Sequence, residues 1–317
     1  MKPLVTIAIP TYERINYLKV AVSSALAQTY QNIEVLVGDD GNTLSIREWC
    51  EQQSQMYPKI RYQKNPHNLG LAGNFNALAD SAKGEYLIII GDDDRLLPDF
   101  IRKCVDAILP DGALAFSNHY IIDHNGKLLA EETRKWTEHY GRDRLSTGWL
   151  FDSEACVWRN SVPMSASLMR TADVRRLRFK EDLNNPDIEF FARLANDGGK
   201  FVFLPDYLAE YRIHPQSATS TGLKSERLVE YLIDIPVRPE NERIKAGFLA
   251  IQMINAVSRC LMAGDQRRAK RLFFNSYYPA TERSRLRGLV QRLSIGIPQP
   301  VGCYLYKTIQ RLKSSCG

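Results

Sequence analysis

The sequence predicts an α/β fold: a mostly parallel sheet flanked by helices, followed by a helical C-terminal extension. Three observations predict it. Short β-branched apolar runs alternate with segments of helical period over the first hundred residues. Polar and acidic clusters stand at the ends of those runs. Beyond Pro236 the strand pattern stops and apolar residues recur at helical spacing.

Taken in order, residues 4–9 form a buried-strand pattern that ends at Pro10. Residues 17–28 follow, with Leu18, Val22, Ala25 and Leu26 on one helical side. A second strand at 33–37 stops at Gly38-Asp39-Asp40-Gly41, and a helix near 46–55 and a weaker strand at 59–63 come next. Residues 72–82 read as a helix and 86–90 as a buried strand. Pro98 then opens a helix to residue 109, in a first turn that needs no donor from it. Such repeated units imply parallel strands joined by right-handed crossovers, with ligands beyond the carboxyl ends of the strands. Pro10-Thr11-Tyr12-Glu13, Asp39-Asp40 and Asp92-Asp93-Asp94 all fall there, so three distant segments converge on one crevice.

After residue 113 the pattern is less regular. Strands are expected at 113–122, 164–170, 200–204 and 207–213, a turn at His124-Asn125-Gly126 and a helix at 187–196; residues 131–160 stay unassigned. Ala246, Leu249, Met253, Ala256, Val257 and Cys260 then trace an amphipathic helix, and a shorter one follows near 265–274. The expected organisation is a domain at 1–237, with halves 1–110 and 111–237, and an extension at 238–317.

At 317 residues, 44% hydrophobic and 25% charged, the chain has the composition of a folded globular protein. Cys50, Cys104, Cys156, Cys260, Cys303 and Cys316 form no CxxC spacing, so free thiols in a reducing cytoplasm are expected. The first strand begins at once, so no signal peptide is expected, and the absence of 18 uninterrupted apolar residues predicts no spanning helix. No internal repeat or low-complexity tract occurs. The net charge of +6 is uneven: residues 1–237 carry 27 basic and 32 acidic side chains, a balance of −5, and residues 238–317 carry 15 and 4, a balance of +11. A basic tail fits an anionic membrane, a phosphorylated acceptor or a plain solvated surface. No nucleic-acid motif accompanies it, and none is expected to bind.

The acids at 92–94 carry the chemistry. Three adjacent carboxylates after a buried strand repel one another and are unfavourable unless a cation binds. Mn²⁺ or Mg²⁺ with a diphosphate meets that need, since both ions take carboxylate and phosphate oxygens. The structural alternative is an acidic start to the helix near Pro98. By spacing alone Asp187 is a helix-capping residue and His214 a hydrogen-bonded structural one.

The ordered set of motifs is more specific than any one of them. Ile9-Pro10-Thr11-Tyr12-Glu13-Arg14, Gly38-Asp39-Asp40-Gly41, Asn68-Leu69-Gly70 with Asn74, Gly84-Glu85-Tyr86 leading to Gly91-Asp92-Asp93-Asp94 and Pro98, Phe179-Lys180-Glu181, Pro186-Asp187 and Tyr211-Arg212-Ile213-His214 follow in sequence. Over about residues 3–215 the chain resembles a family 2 glycosyltransferase of the GT-A fold. The resemblance implies an inverting, metal-dependent transfer of a sugar from a nucleotide sugar, UDP-linked by preference, to a glycan or lipid-linked acceptor in cell-surface polysaccharide synthesis. It implies that Pro10, Thr11, Tyr12 and Glu13 line the nucleoside pocket, that Asp40 with Asp39 reads the base, and that Asn68, Gly70 and Asn74 sit near the ribose and diphosphate. Asp92 and Asp93 would contact the nucleotide, Asp94 and His214 would hold the metal, and Asp187 would be the catalytic base, with Glu181, Asp182 and Glu189 as competitors. Arg212 would meet phosphate or brace the fold.

Two positions depart from the family pattern: Gly91 stands where an acid is common, and Pro186 where a Glu precedes the base. A catalytically silent binding module of the same fold is the alternative. A nucleotidyltransferase or Rossmann oxidoreductase is excluded, because no Gly-rich loop follows the first strand. Acceptor choice is expected within residues 113–165. Membrane contact is expected through 301–312 of the tail, with Tyr304, Leu305 and Ile309 beside Lys307, Arg311 and Lys313, and homodimerisation through 246–261 is the other use of that region.

Overall fold

A computed structural model describes residues 2–108, 111–215 and 225–315, without the side chains of 312–315. Leu109, Lys313 and Cys316, named above, lie outside what is described in this way. The chain separates into two compact units, Met1–Gly222 and Leu223–Gly317.

The first unit begins with β1 (Val5–Thr11), α1 (Ile15–Leu26), β2 (Ile33–Asp39), α2 (Leu44–Met56), β3 (Ile60–Lys64), α3 (Gly70–Ser81) and β4 (Tyr86–Ile89). It continues with β5 (Arg95–Leu96), α4 (Phe100–Ala107), β6 (Gly112–Ile122), α5 (Ala130–His139), β7 (Gly148–Trp149), α6 (Ser153–Trp158), β8 (Ser167–Arg170), α7 (Thr171–Leu177), α8 (Asp187–Asn196) and β9 (Lys200–Arg212). The strands join one sheet in the order β3-β2-β1-β4-β8-β6-β9-β5, with β7 beside β9. Strands β1 to β4 are parallel, as expected; β8 runs antiparallel to both β4 and β6, which makes the second half mixed.

Period-two alternation explains how the sheet is covered. Val5, Ile7 and Ile9 point to one face and join Leu18, Val22, Ile46, Phe100 and Cys104 in the main core. The other face is cut small where α3 arrives: a Cβ on Gly38 would stand 2.5 Å from Asn74 Oδ1 and 2.8 Å from the Leu78 side chain. Only glycine lets α3 lie that close.

Three expectations change. The runs 200–204 and 207–213 are a single strand, β9, whose pairing with β6 shifts register between Ser117↔Leu204 and Asn118↔Tyr207, around Pro205. Proline cannot donate to the ladder, so the sequence reads as two strands. The unassigned stretch folds as α5, a single turn at Arg142–Arg144, β7 and α6. Pro98 lies before α4 rather than in its first turn, and its carbonyl accepts Thr29 N–H at 2.8 Å.

The second unit contains α9 (Ser225–Ile233), α10 (Glu242–Ala263), α11 (Gln266–Phe273), α12 (Ala280–Arg283), α13 (Leu286–Gly296) and α14 (Val301–Ser315). Residues 225–233, grouped with the first domain in the sequence reading, pack here on α10. By its length, and by a mean hydropathy of 1.4 over its best 18-residue window, the segment Pro239–Ala263 is long and apolar enough to cross a membrane, which an uninterrupted-run criterion misses. Leu249, Met253, Ala256, Val257 and Cys260 are buried inside the unit, while Ile251 and Met262 of the same helix are exposed. Cys50, Cys104, Cys156, Cys260 and Cys303 are all free and buried.

Candidate functional site

Parallel pairing sets Thr11 beside Asp39 and Ala8 beside Ile89, so β1, β2 and β4 deliver their polar ends to one sheet edge. Thr11 Oγ1 donates to Asp92 at 2.7 Å. Arg14, just before α1, pairs with Asp92 and holds Asp93 Oδ2 at 2.9 Å. The antiparallel pairing of Leu96 with Ala209 and Arg95 with Glu210 lays the end of β9 against the same turn. There Arg212 N–H donates to Asp94 Oδ1 at 2.9 Å, its Nε donates to the Asp93 carbonyl at 2.8 Å and its Nη1 to the Asp123 carbonyl at 2.8 Å. These bonds make Arg212 a brace of the acidic turn. His214 Nε2 lies 2.9 Å from Asp93 Oδ2, with its ring against Tyr17.

Burial dominates the electrostatics of the turn. It pushes Asp92 up to about 6, an effect that Arg14 opposes and Asp93 reinforces. Asp94 is raised by burial and by the neighbouring Asp93 charge, against the stabilising bonds from Ser165 and Arg212. Gly91 has a local reason: a Cβ there would meet Asp93 Oδ1 at 2.5 Å and Asp94 Oδ2 at 3.1 Å. Two carboxylate oxygens therefore converge over Gly91, a donor set of the hard kind that Mn²⁺ and Mg²⁺ take. No group of three acidic, His or Cys side chains closes into an assembled metal site among the described residues.

A second network lies at the ends of β2 and β3. Asp39 accepts from Tyr62 Oη at 2.8 Å and Gly41 N–H at 2.9 Å. Asp40 accepts from Leu69 N–H and Gly70 N–H, both at 2.8 Å, and from Asn65 at 3.0 Å. Asn68 Oδ1 accepts from Gly70 N–H at 2.8 Å, and buried Asn74 donates to the Gly38 carbonyl at 2.9 Å. Asp40 and Asn74 thus spend their polar atoms holding the entry to α3. Glu13 sits at φ 58°, a costly conformation for a residue with a side chain, and its Oε1 accepts from Asn42 N–H at 3.3 Å. Tyr12 is exposed.

Beside the acidic turn opens a cavity of about 230 Å³. Its walls bring together Pro10, Arg14, Asp92, Asp93, Asp94 and, from a distant stretch of the chain, Asp187. Asp187 is the first residue of α8, and its carboxyl is raised by burial despite bonds from the Ile188 N–H and its own N–H. Its Oδ1 is buried without a hydrogen-bond partner. Glu189 is bound by Arg193 at 2.6 Å and Glu181 by Asn76 at 3.0 Å; neither they nor Asp182 line the cavity. Thr11, Tyr12, Glu13, Asp39, Asp40, Asn68, Gly70, Asn74 and His214 do not line it either; Thr11 and His214 act on it through Asp92 and Asp93.

Sequence reasoning placed acceptor choice within residues 113–165 without naming the side chains that line the cavity. Trp136, Tyr140, Arg142, His119 and Tyr211 all face the cavity, with Trp136 and Tyr211 ring centroids 5.6 Å apart. The signal was the density of Trp136, His139 and Tyr140 in a polar stretch, but its period was unreadable. Arg14 was quoted within a motif without a role.

The model of Glycosyl transferase family 2 matches residues 6–163. Glycosyltransferase GlyG of Streptococcus pneumoniae serotype 4 is 30% identical over 67% of this chain and 71% of its own length. The chain belongs to glycosyl transferase family 2. Another relative of this family 2 glycosyltransferase, chondroitin synthase of Pasteurella multocida, is 28% identical over 73% of the chain, which spans only 23% of that protein. Among solved structures, S. aureus TarS 1-349 in complex with UDP-GlcNAc superposes with a TM-score of 0.66 at 14% identity, over 92% of this chain and 90% of that one. Mannosyltransferase PcManGT from Pyrobaculum calidifontis, in complex with GDP-Man and Mn²⁺, gives 0.59 at 15% identity, over 97% and 87%. The expected GT-A fold is the observed one.

Proposed function

We propose that this family 2 enzyme is an inverting glycosyltransferase that moves a sugar from a nucleoside-diphosphate sugar, UDP-linked by preference, to a hydroxyl of a glycan or lipid-linked acceptor in cell-surface polysaccharide synthesis. The observation that carries this reading is Asp187, which lines the same cavity as the Asp92–Asp94 turn and whose buried Oδ1 has no hydrogen-bond partner. The acceptor oxygen bonds to the anomeric carbon as the bond from that carbon to the phosphate oxygen breaks, and the acceptor proton goes to Asp187. Pro10, Thr11, Tyr12, Glu13 and Asp39 serve the nucleoside end, with Asp40, Asn68, Gly70 and Asn74 fixing the loop beside it. Asp94 and His214, with Asp93, would hold Mn²⁺ or Mg²⁺, which when bound neutralises the departing diphosphate. Two solved proteins of this fold carry UDP-GlcNAc in one case and GDP-Man with Mn²⁺ in the other, which supports the donor class and the cation.

The enzyme works in the cytoplasm at the inner membrane face. Support comes from Leu286, Leu289 and Leu293, an exposed stripe on α13 at helical spacing, within the segment of charge +11. The test of the reaction is proton NMR of the first product from an α-linked nucleotide sugar. A β-linked or β-anomeric product supports inversion, and an α product refutes it. Donor that binds and is never consumed would return the chain to the silent-module reading.

A further inference from the structure

Arg142 stands out among the buried cations. Its residue is 3% exposed, yet among the described residues its only hydrogen bond runs from Nε to the neutral Asn118 Oδ1 at 3.2 Å. Its Nη2 is buried without a partner, and no Asp or Glu among the described residues pairs with it. Buried Arg212, by contrast, is satisfied by backbone carbonyls. His119, 6% exposed, lines the same cavity with an unpartnered Nε2. Burial and the Arg142 charge hold that imidazole well below its ordinary value, so it is neutral. Tyr140 supports the guanidinium face, its ring centroid 5.3 Å away. A buried charge without a counterion is unfavourable, so the cluster is complete only with an anion bound.

The geometry points to a carboxylate: we propose that one of the two sugars meeting at this cavity is a sugar acid whose carboxylate is taken by Arg142 with His119 beside it. This inference rests on the glycosyltransferase reading above. Charge selects the class. A carboxylate brings one negative charge to one guanidinium, whereas a phosphate dianion would leave a surplus in a cleft that already holds Asp92, Asp93, Asp94 and Asp187. The guanidinium fork matches carboxylate oxygens, and the aromatic wall of Trp136 and Tyr211 offers the apolar face of a sugar ring a surface.

The test is calorimetric titration of the full chain, with Mn²⁺, using UDP, UDP-glucose and UDP-glucuronate. A parallel arm titrates methyl β-glucuronide and methyl β-glucoside into the UDP-bound protein, which separates a donor acid from an acceptor acid. In one arm the acid should bind about 10- to 100-fold more tightly than its neutral partner, the range of a charge-assisted hydrogen bond. Arg142→Gln should abolish that preference while UDP binds as before, and Arg142→Lys should keep part of it. UDP binding shows in each variant that the protein is folded. Equal binding of acid and neutral sugar in both arms overturns the inference, as does a preference that survives Arg142→Gln. Failure of UDP itself to bind wild type would instead sink the donor reading beneath it.

Discussion

Replacing Asp187 by Asn separates catalysis from folding, because the two should move in opposite directions. Asn keeps an oxygen for the Ile188 N–H and removes the carboxylate whose Oδ1 has no partner. Loss of a general base lowers kcat by about 10² to 10⁴, or about 2.7 to 5.5 kcal/mol at about 1.36 kcal/mol per tenfold. The sign for stability follows from burial. The folded Asp187 carboxyl sits above its ordinary 3.8. An acid raised in this way contributes stability that is fully present below its unfolded value and lost as pH rises through its folded value. At about pH 8 the ionised group therefore opposes folding, so Asp187→Asn should raise Tm there and change it little at about pH 3. The same shift places the acid limb of the wild-type kcat profile above the ordinary carboxylate range. The assay is nucleoside diphosphate release, read beside thermal unfolding by circular dichroism. Turnover within about threefold of wild type would refute the base role. Lost activity together with a lowered Tm would show a structural cap instead.

Other consequences are open to simpler measurements. Gly38→Ala should destabilise the first unit by about 1 to 3 kcal/mol, seen in the urea midpoint, because its Cβ would press on Asn74 and Leu78. Chelation with EDTA should abolish turnover, and Asp94→Asn should raise the Mn²⁺ concentration needed to restore it by about tenfold or more; unchanged metal demand would remove Asp94 from the ligand set. The full chain should sediment with anionic vesicles at low salt and release at high salt. Leu289→Glu with Leu293→Glu should weaken that binding, and indifference to both changes would assign the stripe another use.

What the sequence revealed depended on whether a physical signal was local. The strands before Pro10, Gly38 and Gly91 were legible because buried parallel strands are short, apolar and punctuated at their ends. The helix at 187–196 was read to its observed bounds, since its apolar face and acidic start agree. The kink at Pro205 hid the unity of β9, because its pairing with β6 is a tertiary fact. The aromatic wall was invisible for the same reason: Trp136, Tyr140 and Tyr211 come together only when α5 docks near the end of β9. Motif order located Asp40 and Asn74 near the nucleoside end. Only the structure shows how far their polar atoms are committed to the backbone around Gly38 and Gly70.

The most direct test of the account is isothermal titration of UDP, GDP and dTDP into the full chain, with Mn²⁺ or Mg²⁺ and again with EDTA. The account predicts that one nucleotide, UDP first among them, binds only with the cation and that Asp94→Asn raises the cation concentration this binding needs by about tenfold or more. No binding by any of the three to protein shown to be folded, or binding indifferent to both EDTA and Asp94→Asn, would contradict it.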